Sequence, residues 1–162
     1  LDHNIDQLES FGIKMLIDNS VNISTGSDRI QIAGVEDLWF GAPRFEKAMQ
    51  NIDSEYFTFF LTHNPDFFVD ELHENQRSMI DFALSGHTHA GQVSLFGLWG
   101  IVPINSKNVP RYRYGLDQLD DVPLYVSSGL GGSAFGFFIR FFARPEIVII
   151  NVKPLRGPQR PQ

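Results

Sequence analysis

Two apolar runs of strand length, each followed by histidine, constrain the fold of this chain more than any other feature. The run Tyr56–Leu61 precedes His63, and the run Met79–Leu84 precedes His87 and His89. The 24 positions that separate His63 from His87 are enough for a helical crossover between two parallel strands. The carboxyl ends of parallel strands meet at one edge of a sheet, where open α/β sheets bind ligands. The sequence therefore predicts an α/β fold with three histidines at one sheet edge.

His87 and His89 are one residue apart, between Gly86 and Gly91. In extended backbone such positions share a face, and the flanking glycines permit the backbone angles that aim both imidazoles at one region. Two rings placed in this way could bind one metal ion or bridge two. A lone His-x-His is equally compatible with a polar turn, and it is the second strand-end histidine, His63, that favours a metal site.

The composition narrows the chemistry of such a site. No cysteine is present, so disulfides and thiolate ligands are excluded and a metal must be bound by nitrogen and oxygen. A hydrophobic content of 43% with 20% charged residues is typical of a globular protein. We predict one domain over residues 1–153, followed by a disordered tail over residues 154–162, which contain three prolines and a glycine.

The formal net charge is −6, and the first half of the chain has no basic cluster. A nucleic-acid partner is therefore not expected. No apolar stretch reaches the length of a membrane span, and the N-terminus lacks the pattern of a signal peptide. These features predict a cytoplasmic protein, and the first residue, which is not Met, favours a piece of something longer.

Periodicity and turn residues predict the remaining elements. A first helix ends near Phe11 with Gly12 as its stop, and a short helix covers Pro43–Gln50. Asn64 and Asp66 are interpreted as the start of a helix that runs to about Glu74. The predicted strands, besides the two apolar runs, are Ile13–Ile17, Ser20–Ile23, Arg29–Val35, Arg111–Gly115, Pro123–Ser127 and Glu146–Val152, with a hairpin or irregular flap over residues 93–103. The glycine turn Ser128–Ser133 is interpreted as a sharp turn packed near the metal site, although such turns can also bind phosphate.

At His63-Asn64-Pro65 and Gly86-His87-Thr88-His89 the chain resembles the calcineurin-like metallophosphoesterase family, and segments 124–131 and 144–147 extend the resemblance to a bacterial, often membrane-associated branch. The resemblance covers nearly the whole chain but only the C-terminal half of the family's domain. It implies the second half of a sandwich of two sheets flanked by helices, truncated at the N-terminus.

The resemblance also implies a hydrolase of phosphomonoesters, phosphodiesters or pyrophosphates that uses metal-bound hydroxide, with two divalent ions of Mn, Zn or Fe. His63 and His87 are then ligands of one ion and His89 of the other. The family's Asp-x-His, Gly-Asp-x-x-Asp and Gly-Asn-His-Asp/Glu motifs do not occur in this sequence, so catalytic and substrate-binding residues stay unassigned. The alternative is a non-catalytic, metal-binding fragment.

An aromatic segment near the C-terminus bears on the substrate. Burial is the simplest interpretation of a phenylalanine run, but the arginines within it would be costly to bury unpaired. We hypothesise that the segment is a peripheral membrane or acyl-chain contact. Its members are Phe135, Phe137, Phe138, Arg140, Phe141, Phe142 and Arg144. The related branch includes enzymes that act on lipid-linked sugar nucleotides, and such enzymes would need a surface of this kind to draw their substrate from the bilayer.

Overall fold

The computed structural model describes residues 2–26, 28–95, 99–101, 111–134, 137–138 and 140–153. The predicted tail, residues 154–162, lies outside these residues, and the domain boundary at residue 153 stays a prediction. The helices are α1 (Asp2–Ser10), α2 (Phe45–Met49) and α3 (Glu74–Arg77), with a π-helical turn at Phe67–Glu71 and a 3₁₀ turn at His89–Gly91. The strands are β1 (Asn19–Thr25), β2 (Asp28–Gly34), β3 (Phe57–Leu61), β4 (Phe82–Ser85), β5 (Val93–Leu95), β6 (Trp99–Ile101), β7 (Gly115–Leu119), β8 (Val122–Val126), β9 (Ser133–Ala134) and β10 (Phe137–Phe138).

Six of the strands form one mixed sheet in the order β1-β2-β3-β4-β8-β7. The four central strands, β2, β3, β4 and β8, are parallel, and the outer strands β1 and β7 are antiparallel to their neighbours. The sheet with its helices confirms the predicted α/β class. The two apolar runs contain the neighbouring parallel strands β3 and β4, as their spacing predicts, although β4 begins only at Phe82 and residues 79–81 of the second run precede it.

One face of the sheet is packed against the helical layer, and we call it the covered face. It consists of Gln31 and Ala33 from β2, Thr58 and Phe60 from β3, Ala83 and Ser85 from β4, and Val122, Leu124 and Val126 from β8. Phe60 is fully buried, with its ring centroid 5.6 Å from that of Phe45 and 6.2 Å from that of Phe67. Because α2 and the π-helical turn supply these aromatic rings, the core lies on this side of the sheet.

The opposite face is also apolar but is less buried, and we call it the open face. It consists of Val21 and Ile23 from β1, Ile30 and Ile32 from β2, Phe57, Phe59 and Leu61 from β3, Phe82 and Leu84 from β4, Tyr125 from β8 and Leu116 from β7. Phe59 is buried between the rings of Phe57 and Phe82. The other side chains of this face are half-buried or exposed.

Three predicted strands are wrong. Ile13–Ile17 crosses the open face at the end of β2, where a Cβ on Gly34 would lie 2.8 Å from the Cβ of Leu16, and a crossing segment does not pair. Arg111–Gly115 is a turn that leads into β7. Glu146–Val152 has the apolar run of a strand but forms none in the described part of the chain, and its Ile149 side chain is 87% exposed.

Other predicted elements are confirmed or modified. The strands β1 and β2 form the predicted hairpin, and β5 pairs with β6 within the predicted flap. The helix predicted from Asn64 is interrupted: the π-helical turn ends before His73, and α3 follows. Asn64 does begin this segment, since its Oδ1 accepts a hydrogen bond from the backbone N–H of Asp66 at 3.0 Å. In the described part of the chain, no helix is long and apolar enough to cross a membrane.

Candidate metal centre

The candidate site lies at the edge where the four parallel strands end. Backbone hydrogen bonds continue beyond the strands: the N–H of Thr62 donates to the carbonyl of Leu84, that of Gly86 to His63, and that of Ser127 to Ser85. The Ser85 hydroxyl adds a bond to the carbonyl of His63 at 3.0 Å. These bonds hold the segments after β3, β4 and β8 side by side, so that side chains from separate parts of the sequence meet.

His63 and His87 are brought together at this edge, as predicted. The Nε2 of His63 lies 3.1 Å from the Nδ1 of His87, and the two rings are nearly perpendicular with centroids 4.9 Å apart. Two nitrogens bound to one zinc ion at about 2.0–2.1 Å lie roughly 2.9–3.4 Å apart, depending on the coordination angle. The separation therefore suits either a hydrogen bond between the rings or a shared metal ion.

The environment of His87 favours the neutral ring that binds metals. Burial lowers the pKa of His87 below its usual value of 6.5, and the charges of His63 and His89 lower it further, whereas those of Asp37 and Asp66 act in the opposite direction. The Nε2 of His87 is buried and has no hydrogen-bond partner among the described residues. Protonating an imidazole in this position costs more free energy than protonating one in water. The ring is therefore neutral at neutral pH, with one nitrogen lone pair that can bind a metal ion.

Trp39 and Asp37 also belong to this edge, and the sequence interpretation missed both. The Trp39 ring meets His87 edge-on with centroids 4.5 Å apart, and the Asp37 carboxylate accepts hydrogen bonds from the backbone N–H groups of Trp39 and Phe40. Their segment follows β2 as His63 follows β3. A prediction that β2 is parallel to the two histidine-bearing strands would have placed them here.

His89 is positioned differently from the expectation. The segment is not extended: φ is 66° at His87 and 49° at His89, and the 3₁₀ turn His89–Gly91 follows. The alternation argument for a shared face is therefore wrong, and the left-handed conformation falls on the histidines themselves rather than on Gly86. The Nδ1 of His89 lies 3.2 Å from the Oε1 of Gln92.

The described residues supply part of a metal site. Among them, no group of three or more His, Asp or Glu side chains is close enough to hold an ion. The pair His63 and His87 fits a divalent transition ion in donor type and spacing, and provides two of the four ligands that zinc usually takes. His89 is a single further imidazole at the same edge, and its role as a ligand stays a prediction.

The glycine turn after β8 is tied to Gly86–Gln92, the segment that we call the histidine turn. The Gln92 side-chain N–H donates to the carbonyl of Gly132 at 3.1 Å. The turn is also held from the other side, because the guanidinium of Arg140 donates to the carbonyls of Ser128, Gly129 and Gly131. The interpretation of this glycine segment as a sharp turn packed near the site agrees with these contacts.

Comparison with known proteins identifies the family. Over 134 residues, 83% of this chain, it is 31% identical to the uncharacterized metallophosphoesterase YkuE of Bacillus subtilis, of which the match covers 44%. An uncharacterized metallophosphoesterase of Helicobacter pylori J99 is 33% identical over 160 residues, covering 94% of this chain and 40% of that protein. The chain belongs to the metallophosphoesterase family.

A third family member carries a more specific name. The phosphodiesterase YaeI of Escherichia coli is 30% identical over 149 residues, which cover 91% of this chain and 50% of that protein. The chain thus spans about half the length of the curated relatives it matches, and it corresponds to their C-terminal portion. No model of a protein family matches the chain. No solved structure matches it either.

Proposed function

We propose that this chain forms the histidine-bearing part of a metal-dependent phosphoesterase. The observation that carries the proposal is the approach of the His63 and His87 nitrogens to 3.1 Å at the ends of parallel strands. Membership of the metallophosphoesterase family supports the same reaction class. By this proposal the complete protein hydrolyses a phosphate ester with the help of divalent ions.

The residues of this chain would prepare the site for the ion. His63 and His87 would hold it through neutral imidazoles, and Trp39 would fix the ring of His87 through the edge-on contact. Asp37 and Asp66 would offset part of its positive charge, since both act on His87 electrostatically. A divalent Mn, Zn or Fe ion supplies a Lewis acid for the phosphoryl oxygens and makes water nucleophilic at neutral pH. In its full form, the proposal is a centre of two such ions, in which His89 binds the second ion.

A phosphodiester is the substrate class to test first, because one relative is named a phosphodiesterase. The alternative substrate classes are phosphomonoesters and pyrophosphates, and the pyrophosphates include lipid-linked sugar nucleotides. A lipid-linked substrate would require a membrane contact and a cytoplasmic, membrane-associated location.

The described part of the aromatic segment gives limited support to such a contact. Phe141 and Phe142 are 55% and 54% exposed and pack edge-on against each other, and Arg144 is exposed. Arg140 is engaged by backbone carbonyls and is therefore not available to a lipid phosphate. Phe135 and the side chains of Phe137 and Phe138 lie outside the described residues.

The second candidate function is a non-catalytic metal-binding fragment. It is favoured by the pair of imidazoles without a third close His, Asp or Glu in the described ranges, and by the absence of the family's aspartate motifs from the sequence. For this chain alone we propose weak binding of about one transition ion.

Calorimetric titration of this chain with Zn²⁺ tests the metal site. His63→Ala and His87→Ala are expected to abolish binding or weaken it at least tenfold, because each removes one of the two paired nitrogens. The matched control is His73→Ala, which changes an exposed histidine at the start of α3. Equal binding by all variants would remove the histidine pair from the proposal, and two tight ions on this chain would contradict the fragment alternative.

Hydrolysis of bis-(p-nitrophenyl) phosphate tests the reaction. Because this chain corresponds to the C-terminal portion of YkuE, it can be joined to the N-terminal half of that relative to supply a complete domain. Manganese-dependent hydrolysis that is lost with His87→Ala, and retained with His73→Ala, is the expected result. Undiminished hydrolysis by the His87→Ala protein would exclude the histidine turn from the mechanism.

A further inference from the structure

Gln92 is the most completely bonded side chain in the histidine turn. It is 2% exposed, and both ends of its amide are used: Nε2 donates to the carbonyl of Gly132 at 3.1 Å, and Oε1 lies 3.2 Å from the Nδ1 of His89. A buried glutamine with both amide atoms engaged is fixed in one orientation. The side chain therefore links the histidine turn to the glycine turn through one rigid group.

The chemistry of these two bonds sets the protonation of His89. A carbonyl oxygen can only accept, so the amide atom that faces Gly132 must be the N–H₂ group. The amide oxygen is then the atom that faces His89, and it too can only accept. The Nδ1 of His89 must therefore carry the proton, which leaves Nε2 as the basic nitrogen of the neutral ring.

We propose that Gln92 is a positioning residue that holds His89 in the Nδ1-protonated tautomer and so presents Nε2 as a ligand. The metal-binding half of this statement rests on the proposed function, whereas the tautomer does not. Histidines that bind metals commonly donate their other ring N–H to an acceptor that fixes the ring, and removing that acceptor costs roughly 10- to 100-fold in metal affinity. Gln92, three residues after His89 in the sequence, would be that acceptor.

The backbone of the turn is built around this contact. His89, Ala90 and Gln92 all have positive φ, with Gln92 at φ 44° and ψ −52°. Such conformations are costly for residues other than glycine and persist where the surroundings enforce them. Here the Gln92 N–H donates to the carbonyl of His89, and the Gln92 carbonyl accepts from the N–H of Phe141. The residues with costly backbone angles are thus the ones that hold the Gln92 amide against the His89 imidazole.

Nitrogen NMR of the metal-free chain at pH 8 measures the tautomer directly, since protonated and bare ring nitrogens resonate far apart. His89 of the unchanged chain is expected to show one protonated Nδ1 and one bare Nε2. Gln92→Met fills the same space without hydrogen bonds, and should give a mixture of both tautomers. Gln50→Met is the matched control, because Gln50 is exposed and lies at the end of α2, outside the histidine turn. A proton on Nε2 in the unchanged chain, or a single Nδ1-protonated form in Gln92→Met, would overturn the proposal.

Gln92→Glu separates positioning from a merely structural role. The carboxylate can still accept from His89 but cannot donate to Gly132, so the variant should keep the Nδ1-protonated form even if its stability falls. Loss of that form in a folded Gln92→Glu chain would contradict the proposal, and this variant decides the matter if Gln92→Met does not fold. Zn²⁺ titration of the same variants provides the second readout: a mixed tautomer with unchanged affinity would leave Gln92 as the residue that fixes His89 and would remove His89 from the metal site.

Discussion

The covered and open faces of the six-stranded sheet are both apolar, but the covered face is the more deeply buried of the two. In β3, Phe60 points to the covered face and is 0% exposed, whereas Phe57 points to the open face and is 38% exposed. Sheets with apolar residues on both faces are typical of sheets that lie between two layers. The difference is consistent with a sheet that forms part of a larger, truncated calcineurin-like phosphoesterase fold.

The site lies at the boundary between these faces. His63 and His87 follow strands whose side chains belong to both, and Leu16 crosses the open face close to the same strand ends. The site is tied to the covered face through Ser85, whose hydroxyl donates a hydrogen bond to the carbonyl of His63 at 3.0 Å.

The largest expected effect is on the covered face. Phe60→Ala removes a fully buried ring between Phe45 and Phe67, and should lower the free energy of unfolding by about 3–5 kcal/mol. Phe57→Ala, on the same strand but on the open face, should cost less, about 1–2 kcal/mol, since more than a third of this residue is already in water. Urea denaturation of the two variants measures the difference. Equal losses would show that the two faces are packed alike.

A smaller loss of stability is expected on changing Asp18, which hydrogen-bonds to the segment that leads into α2. Its buried carboxylate accepts hydrogen bonds from the N–H groups of Glu36 and Arg44 and from the Arg44 guanidinium at 2.8 Å. Asp18→Asn is expected to lower the free energy of unfolding by about 1–3 kcal/mol near neutral pH. Arg44→Lys, which keeps the positive charge and the backbone donor, should lose less.

The pH dependence of that loss follows from the pKa of Asp18. Burial pushes this pKa up, but the hydrogen bonds from Arg44 and Glu36 outweigh it and hold it below the ordinary value of 3.8. The carboxylate therefore stabilises the fold above its unfolded pKa, and this contribution is lost as the pH falls through the lower folded value. The difference between the unchanged chain and Asp18→Asn should be constant above about pH 5 and shrink below about pH 4. A difference that grows on acidification would refute this sign.

Glu146 provides a polar anchor beside the open face. It accepts hydrogen bonds from the hydroxyls of Tyr114 and Tyr125 and from the backbone N–H of Ser128. Glu146→Gln should cost about 1 kcal/mol, because an amide oxygen replaces the charged acceptor. Tyr125→Phe, which removes one donor, is expected to cost less than Glu146→Gln in the same denaturation assay. The reverse order would mean that the tyrosine matters through other contacts.

The smallest effect on stability is expected at the edge of the open face. Leu116 in β7 is 67% exposed, so Leu116→Lys should change the free energy of unfolding by no more than about 0.5 kcal/mol. It should nevertheless reduce self-association and the binding of an apolar dye, because it breaks the exposed apolar surface. Gln118→Lys on the same face adds the charge without removing apolar surface, and is the control. Unchanged dye binding in Leu116→Lys would show that the dye does not bind to the open face.

The sequence predicts the parallel strands and the histidine pair because these depend on local patterns. Buried strands such as β3 and β8 appear as continuous apolar runs, and the spacing between His63 and His87 fixes their parallel connection. Ile13–Ile17 and Glu146–Val152 have the same kind of pattern, but a strand also requires a partner with free backbone groups, and the pattern carries no information on that partner.

The details of the site depend on contacts that no local pattern records. The positive φ angles at His87 and His89 occur in a turn that is hydrogen-bonded through Gln92 to Gly132 and Phe141, which are more than 40 residues away from the histidines. The approach of Trp39 to His87 likewise depends on where the segment after β2 lies. Both features depend on contacts between residues far apart in the sequence, and local patterns carry no information on such contacts.

The edge-on contact between Trp39 and His87 gives this sheet edge its own optical probe. An indole ring beside an imidazole is sensitive to positive charge on that imidazole, because the ring's π-electrons interact with a nearby cation. In a chain whose other tryptophan, Trp99, is replaced by Phe, fluorescence of Trp39 should therefore respond to protonation of His87 and to a cation bound there.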